Sequence, residues 1–423
     1  MIRRIQALNY RCLQCIDQEI ADFQILMGPN ASGKSTLLDV VAFLGDLVSG
    51  GLEKAIGKRT NSFQDLIWQR SGGGFELAIE FKIPDEQKGA LKGHQYDLVA
   101  YEVAIGLDEG SNKPAILSEK VLLKTDNQSK ERPLNVQLPL FPIEPTVQQT
   151  LISLPGLRNT KTVINKVKGG NDNFYSEIYH AEGKGWVPSF KLGSKRSALG
   201  NLPADEARFP VSTWLQELLT KGVQRIALNS VLMRKASPPG QGRALKPNGS
   251  NLSWVVDDLQ NNASDNFTKW VEHLQTALPD IRNIRVIERF QDKHKYLTIE
   301  YAGGLEIPSW MASDGTLRLL ALTLLAYLPD FEGIYLIEGP ENGVSPRMIE
   351  SVFQSLCSVR SAQILMATHS PAILSVAEPS QILCFAKTPS GAVDIVRGDD
   401  HPAICDWKGK MNLGVLFEGG VLG

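Results

Sequence analysis

The residues with the clearest chemistry run from Gly28 to Ser35 and read Gly-Pro-Asn-Ala-Ser-Gly-Lys-Ser, which fits the pattern G-x-x-x-x-G-K-[ST]. The apolar run 23–27 precedes them and a helical pattern follows, which is the context in which such a loop cradles phosphates. Backbone N–H groups of the loop and the helix N-terminus favour negative charge. Lys34 is expected to reach the β- and γ-phosphates, and the Ser35 hydroxyl is expected to ligate Mg²⁺. The predicted cofactors are therefore ATP and Mg²⁺.

The predicted contacts to the nucleotide extend over most of this P-loop, which we define as residues 28–35, and into the first turn of the helix. They are Gly28, Asn30, Ser32, Gly33, Lys34, Ser35 and Thr36.

A second chemical group lies far along the chain, at the end of the apolar run 334–337. A P-loop protein needs an acidic residue at the end of a second buried strand to hold the Mg²⁺ shell, and Glu338 supplies it. Pro340, two positions later, ends the strand. The P-loop and Glu338 are separated by most of the chain, so we expect one site assembled from both ends, with an insertion between them.

The elements that must position these residues follow from the apolar periodicity. Apolar and polar residues alternate in three segments, 75–83, 96–107 and 116–125. This pattern predicts an antiparallel sheet with one solvent-exposed face. After residue 330, short apolar strands alternate with helices and predict a parallel sheet. The expected organisation is an N-terminal lobe (1–130), an insertion (131–250) and a C-terminal lobe (251–423).

Composition and charge limit the function. The chain has 423 residues, 43% of them hydrophobic, which is enough for a large core. The net charge of −2 provides no global positive field for nucleic acid or an anionic membrane. Neither an apolar leader nor a stretch of about 20 apolar residues is present, so we expect a cytoplasmic protein that does not bind membranes. The isolated pair Cys12 and Cys15 is expected to be reduced thiols.

A basic segment lies in the insertion, with Glu217 just upstream as its nearest acidic residue. It has two interpretations, a solvated loop or a patch that contacts phosphates of DNA. Its six basic residues are Lys221, Arg225, Arg234, Lys235, Arg243 and Lys246.

The two ends of the chain, 1–130 and 250–423, resemble the ATPase heads of the RecF, SMC and OLD-type proteins, and most closely the compact bacterial ATPases of this group. This resemblance implies an α/β fold of the P-loop NTPase class. Its parts would be an ABC/RecF-like head with a mixed sheet, an antiparallel β subdomain and an α-rich inserted lid subdomain. No sustained heptad pattern is present, so no long coiled coil is expected.

In that group the acidic strand ends Asp-Glu-Pro and continues Glu-Asn-Gly. The resemblance places Glu338 at the magnesium-side acid and Gly339 at the catalytic Glu, and glycine has no side chain to polarise the attacking water. Shifting the register by one residue would make Glu338 the base but would place Ile337 at the metal. Glu341, three residues on, is the acidic side chain that remains. Three alternatives stay open: slow hydrolysis, hydrolysis rescued by Glu341, or a scaffold that binds ATP without hydrolysing it.

Two further segments fit the same resemblance. Residues 312–316 (Ala-Ser-Asp-Gly-Thr) resemble the ABC signature loop, in which Ser313 and Gly315 would bind the γ-phosphate on a second subunit. His369, after the apolar run 364–367, resembles the switch histidine that senses the γ-phosphate. The resemblance thus implies a homodimer with ATP at its interface.

Smaller expectations complete the site. A Gln that contacts Mg²⁺ is expected after the first helix, where Gln64 and Gln69 are the nearest candidates, and Tyr10 or Arg11 would touch the nucleotide.

The resemblance also implies a process in phage defence or DNA repair, with a nuclease or other effector as partner and DNA as a further candidate. A transporter ATPase is disfavoured because the two motifs lie so far apart. The acidic cluster of a nuclease domain is not expected after His369, since Asp394, Asp399 and Asp400 are scattered.

Overall fold

The structure is a computed structural model that describes residues 1–91, 96–126, 141–146, 148–154, 156, 159–178, 188–329, 331–405 and 413–418. Of the predicted insertion, residues 131–140 and several shorter stretches lie outside the described residues.

The strands, numbered along the chain, are β1 (Ile2–Tyr10), β2 (Leu13–Glu19), β3 (Phe23–Met27), β4 (Gly74–Lys82), β5 (Leu98–Leu107), β6 (Pro114–Lys124), β7 (Thr160–Val167), β8 (Asp172–Phe174), β9 (Ser189–Phe190), β10 (Val223–Ile226), β11 (Ile281–Glu288), β12 (Lys295–Tyr301), β13 (Glu306–Pro308), β14 (Ile334–Glu338), β15 (Gln363–Ala367), β16 (Ile382–Lys387) and β17 (Val393–Arg397).

The helices are α1 (Lys34–Gly57), α2 (Asp85–Ala90), α3 (Pro210–Glu217), α4 (Ser230–Met233), α5 (Leu252–Asn262), α6 (Ser264–Ala277), α7 (Asp314–Leu324), α8 (Pro346–Cys357), α9 (Pro371–Val376), α10 (Pro402–Cys405) and α11 (Leu413–Glu418).

A central sheet of six strands, in the order β10-β14-β15-β3-β16-β17, carries the chemistry. The strands from β10 to β16 run parallel and β17 is antiparallel, so the sheet is mixed, as predicted. Parallel strands end at the same edge of a sheet. The segments after β3, β14 and β15, which are the P-loop, Glu338 and His369, are therefore brought to one edge.

The two faces of the central sheet belong to two different cores. Within β3, Ile25 and Met27 pack with helices α5 to α8, whereas Leu26 packs against α1 and the antiparallel sheet. Alternate side chains of a strand point to opposite faces, so an uninterrupted apolar run suits a strand covered on both sides. The P-loop thus begins from a strand whose last four residues are buried.

An antiparallel sheet of eight strands, in the order β2-β1-β4-β5-β6-β7-β8-β9, covers α1 on its other side. The predicted segments form β4, β5 and β6, which confirms the antiparallel strands. The predicted solvent-exposed face is wrong for β5, because its residues 99–106 are all buried and the segment 150–153 hydrogen-bonds to Glu76 and Glu102. The last three strands come from the predicted insertion, and β10 joins the central sheet. The described residues of 131–250 are therefore integrated into both sheets, and the three proposed boundaries stay predictions.

Helix α1 continues through Gly51, whose φ of +78° produces a kink. It is the one helix of the described residues that is long and apolar enough to cross a membrane, and 67% of its most apolar window is buried in the protein. Because it begins at the P-loop and packs between two sheets, it is a core helix here.

Candidate nucleotide-binding site

The P-loop is shaped by two glycines where the backbone passes close to β16 and β17. Gly28 has φ of +149° and Gly33 has φ of +102°. A Cβ at Gly28 would lie 2.3 Å from the carbonyl oxygen of Phe385, and one at Gly33 would lie 2.8 Å from Val393 Cγ2. Glycine is required at both positions, since neither the conformation nor the space admits a side chain.

The ammonium group of Lys34 lies over the loop. Its Nζ donates to the carbonyl oxygens of Gly28 (2.8 Å) and Pro29 (2.7 Å) and lies 3.4 Å from Ser32 Oγ. Burial lowers the pKa of Lys34 to about 8, and the negative charge of Glu341 opposes this shift. The loop therefore holds a positive charge on backbone carbonyls, where a phosphate would provide a stronger partner.

A cavity of about 590 Å³ lies beside the loop, within the range of small-molecule and cofactor sites. Predicted residues that line it are Asn30, Ser32, Gly33, Lys34, Ser35, Thr36 and His369. The other predicted residues, Gly28, Glu338, Glu341, Ser313 and Gly315, are not among its lining residues. The structure thus gathers the P-loop and the switch histidine around one cavity and leaves the signature loop outside it.

Glu341 connects the acidic segment to the end of β15. Its Oε2 accepts a hydrogen bond from Thr368 Oγ1 (2.9 Å), and its Oε1 accepts one from the His369 backbone N–H (2.7 Å). The same carboxylate acts on the charge of Lys34. Glu341 is therefore directed toward the P-loop side of the sheet edge.

Gly339, which the resemblance aligns with the catalytic Glu, has φ of +56°. Its N–H donates to the Ala367 carbonyl at 2.9 Å, and a Cβ would lie 2.2 Å from Nδ2 of the exposed Asn342. Any side chain here would be strained and would have to displace Asn342.

Glu338 is opposite Ala367 in the pairing of β14 with β15, one strand away from β3. Its Oε1 accepts a hydrogen bond from Arg225 Nη2 of β10 at 2.8 Å. About a quarter of the Glu338 side chain is exposed (26%), so the carboxylate remains accessible at the sheet edge.

His369, which follows β15, lines the cavity beside the P-loop. Burial, and then the positive charge of Lys34, lower the pKa of His369 below its ordinary value of 6.5. This shift favours the neutral ring, and a neutral imidazole both donates and accepts hydrogen bonds.

Of the smaller candidates, Gln69 lines the cavity and Gln64 does not. Arg11 also lines the cavity and pairs with Asp39 at 3.1 Å. Tyr10 is fully buried and donates to Asp39 at 2.7 Å, so it does not reach the cavity.

Sequence reasoning missed several lining residues. They are Cys12, Asp65, Ile67, Trp68, Arg70 and Lys387. Lys387 ends the apolar strand β16, and a charged residue at the end of an apolar run was a usable signal. Residues 65–70 lie in short turns with two positive φ values, which no sequence period reveals.

The signature loop, residues 312–316, starts α7. Ser313 caps the helix, with its Oγ accepting from the Thr316 N–H at 3.0 Å. A Cβ at Gly315 would lie 2.7 Å from the Gly343 carbonyl oxygen. The loop therefore packs on the segment that follows the acidic strand.

The residues present fit ATP and Mg²⁺. The described residues contain no group of three or more His, Cys, Asp and Glu side chains able to hold a metal by themselves. Magnesium at phosphates needs only one or two protein ligands, because water and phosphate oxygens complete its shell. Ser35 in the cavity and Glu338 at the same edge are the side chains that suit this role.

Comparisons with known proteins agree with this geometry. Residues 23–92 and 171–375, more than half of the chain, match the family described as "AAA domain, putative AbiEii toxin, Type IV TA system". An OLD nuclease of Thermus scotoductus is 31% identical over 147 residues, which cover 32% of this chain and only 26% of that relative.

Two solved structures share the fold. An SMC head bound to the C-terminal winged-helix domain of ScpA has a TM-score of 0.53 at 13% identity, covering 93% of this chain and 97% of the other. An SMC head with an extended coiled coil, bound to a ScpA domain derived from Pyrococcus furiosus, has a TM-score of 0.51 at 12% identity, covering 93% and 95%. The chain belongs to the AAA-domain family named above and has the fold of an SMC head, and together with the OLD nuclease similarity these findings support an ATPase of the RecF/SMC/OLD-like group.

Proposed function

We propose that this protein is an ATPase that binds ATP and Mg²⁺ at its P-loop and closes the site with the signature loop of a second copy. The observation that carries the proposal is the single cavity shared by the P-loop, Lys34 and His369, with Glu341 hydrogen-bonded to the His369 backbone. Ser313 and Gly315 lie outside this cavity, so they would bind a nucleotide held by another copy.

Each group has a task in hydrolysis. The N-terminus of α1 and Lys34 would hold the β- and γ-phosphates, and Ser35 with Glu338 would hold the metal, which neutralises phosphate charge. Neutral His369 would hydrogen-bond the γ-phosphate. Water attacks the γ-phosphorus, the bond to the β-phosphate oxygen breaks, and the proton of the water passes to Glu341, leaving ADP and phosphate.

We infer that turnover is slow. Gly339 cannot position water, and Glu341 is held by two donors at β15, which keeps the carboxylate in place but lowers its basicity. The second candidate function, a scaffold that ATP closes without hydrolysis, is favoured by Gly339 alone.

We also propose a cytoplasmic protein that regulates a nuclease or other effector, directly or on DNA, in phage defence or DNA repair. The sequence relative is named a nuclease, and the aligned region is only about a quarter of it. The two SMC heads were each solved with a ScpA domain bound.

A phosphate-release assay combined with light scattering tests the proposal. We expect monomers without nucleotide, dimers with ATP and Mg²⁺, and slow release of phosphate that returns the dimer to monomers. Stable ATP-bound dimers without phosphate release would establish the scaffold instead. Failure to bind ATP at all would refute both functions.

A further inference from the structure

Two arginines from the predicted insertion contact two other predicted motifs of the site. Arg225 contacts Glu338, and Arg234 contacts the signature loop. Arg225, on the edge strand β10, donates from Nη2 to Glu338 Oε1 at 2.8 Å. Strand β10 pairs in parallel with β14, with Arg225 opposite Leu336, so the arginine reaches along β14 to its acidic end.

Arg234, directly after α4, holds the signature loop. Its Nε and Nη2 donate to the Ala312 carbonyl oxygen at 3.2 and 3.0 Å, and its guanidinium pairs with Asp314. Both ends of the Ser313 turn are therefore fixed by one planar group, which a lysine could not reproduce.

Further contacts connect this segment to α7. Arg318 of α7 donates to the Leu228 carbonyl oxygen at 3.0 Å, and the Ser309 hydroxyl donates to the Arg234 carbonyl oxygen at 3.3 Å. Arg318 also lies next to Gly343, in the segment that follows the acidic strand. Residues 223–235 thus lie against both the acidic strand and the signature loop.

The remaining basic residues differ from this pair. Lys221 pairs with Glu217, Arg243 pairs with Asp258 and Lys246 donates to Gln241, while Lys235 is exposed and contacts neither motif. The segment is therefore a poor general phosphate patch, because its arginines are engaged by protein groups. Arg225 and Arg234 are the two engaged at catalytic motifs.

We propose that residues 223–235 form a brace in which Arg225 positions Glu338 for its own nucleotide and Arg234 positions the signature loop for the nucleotide of a second copy. This inference rests on the proposed function and assigns a role to part of the insertion. Arg225 acts in cis and Arg234 acts in trans. Both are positioning residues, since each acts through the protein group that it contacts and not on the nucleotide.

The first experiment compares Arg234→Ala with Arg243→Ala, an exposed arginine of the same segment that is paired with Asp258. For Arg234→Ala we expect ATP affinity within about twofold of wild type by calorimetry, but at least tenfold weaker ATP-dependent dimerisation by light scattering. Arg234→Lys should restore little, and Arg243→Ala should match wild type. Unchanged dimerisation of Arg234→Ala would overturn the proposal, whereas a wild type that never dimerises with ATP would overturn the proposed function.

Mixing two variant subunits tests whether Arg234 acts on the nucleotide of its own subunit (in cis) or on that of the second copy (in trans). A subunit with Lys34→Ala and one with Arg234→Ala together contain one intact P-loop facing one intact signature loop, so the mixture should regain ATP-dependent dimers that neither variant forms alone. Lys34→Ala mixed with Ser313→Arg calibrates the assay. If the Ser313→Arg mixture regains dimers and the Arg234→Ala mixture does not, Arg234 has no trans role.

Arg225→Ala serves as the cis counterpart. It should show normal ATP affinity in EDTA but lose at least fivefold of the extra affinity that Mg²⁺ confers, measured by calorimetry, and should not be rescued by Lys34→Ala subunits. Arg225→Lys should recover part of the Mg²⁺ effect. An unchanged Mg²⁺ effect in Arg225→Ala would show that the ion pair with Glu338 does not position the carboxylate.

Discussion

The P-loop and the signature loop differ in what holds them. Lys34 is bound by carbonyls only five and six positions away, and the adjacent helix α1 begins at the loop itself. The signature loop has its own helix cap at Ser313, but its flanks are held by Arg234, 78 positions away from Ala312. A binding loop can therefore be built locally, whereas the loop that closes the site depends on a distant segment.

The largest expected effect concerns Lys34 of the P-loop, which is held by contacts close in sequence. Lys34→Ala should abolish ATP binding measurable by calorimetry, because it removes the charge that meets the phosphates. Glu338→Ala should retain weaker binding, since Glu338 lies outside the cavity and acts through Mg²⁺ and its waters. Near-normal affinity of Lys34→Ala would contradict the assignment. Lys58→Ala, an exposed lysine at the far end of α1, is the matched control.

Glu341→Gln tests a side chain that is held by residues distant in sequence, Thr368 and His369. The amide retains one acceptor for Thr368 or the His369 N–H but cannot take up a proton, so we expect phosphate release to fall by about 10²-fold or more. ATP binding and the ATP-dependent dimer should persist. Phosphate release at the wild-type rate in this variant would remove Glu341 from the mechanism.

The pH dependence of binding sharpens the role of Lys34. Its pKa of about 8 in the free protein lies below the ordinary 10.5, because burial disfavours the charged form. Phosphates favour the ammonium, so ATP binding should take up a proton above pH 8. Affinity should fall by about tenfold per pH unit above 8, until the pKa of the complex is reached.

Calorimetry at pH 7.5 and 9, in buffers of different ionisation enthalpy, measures both affinity and proton uptake. Lys34→Arg should bind more weakly with little pH dependence, because a guanidinium does not titrate in this range. Equal affinity of the wild type at both pH values would mean that Lys34 does not set the phosphate interaction.

The smallest effect concerns Gly339. Its φ of +56° should make Gly339→Glu and Gly339→Ala less stable by about 1–2 kcal/mol, measured as a lower free energy of unfolding. Gly73→Ala is the control, because Gly73 does not have a left-handed φ and a Cβ there would have no atom within 4 Å, so its stability should be unchanged.

Gly339→Glu should change the rate of phosphate release by less than about threefold. The change is small because Glu341 already serves as the base. Acceleration far beyond that, relative to Gly339→Ala, would show that the position lacks only a carboxylate and that Glu341 does not serve as base.

The sequence by itself determined the class of fold and the phosphate-binding loop. The P-loop is contiguous, its glycines are required by the backbone path, and β3 has the apolar run of a strand buried on both faces, so local pattern was sufficient. The alternating segments before residue 130 likewise predicted their strands correctly, although only the tertiary structure shows that β5 is buried on both faces.

The tertiary structure alone decided which charged groups meet. Arg225 and Glu338 are 113 positions apart, and Glu341 contacts His369 from 28 positions away, so no period or motif relates them. Lys387 reached the cavity only because β16 pairs with β3. Local chemistry is encoded in adjacent residues, but the partner of a charge at a strand end depends on strand order, which the packing of the whole chain fixes.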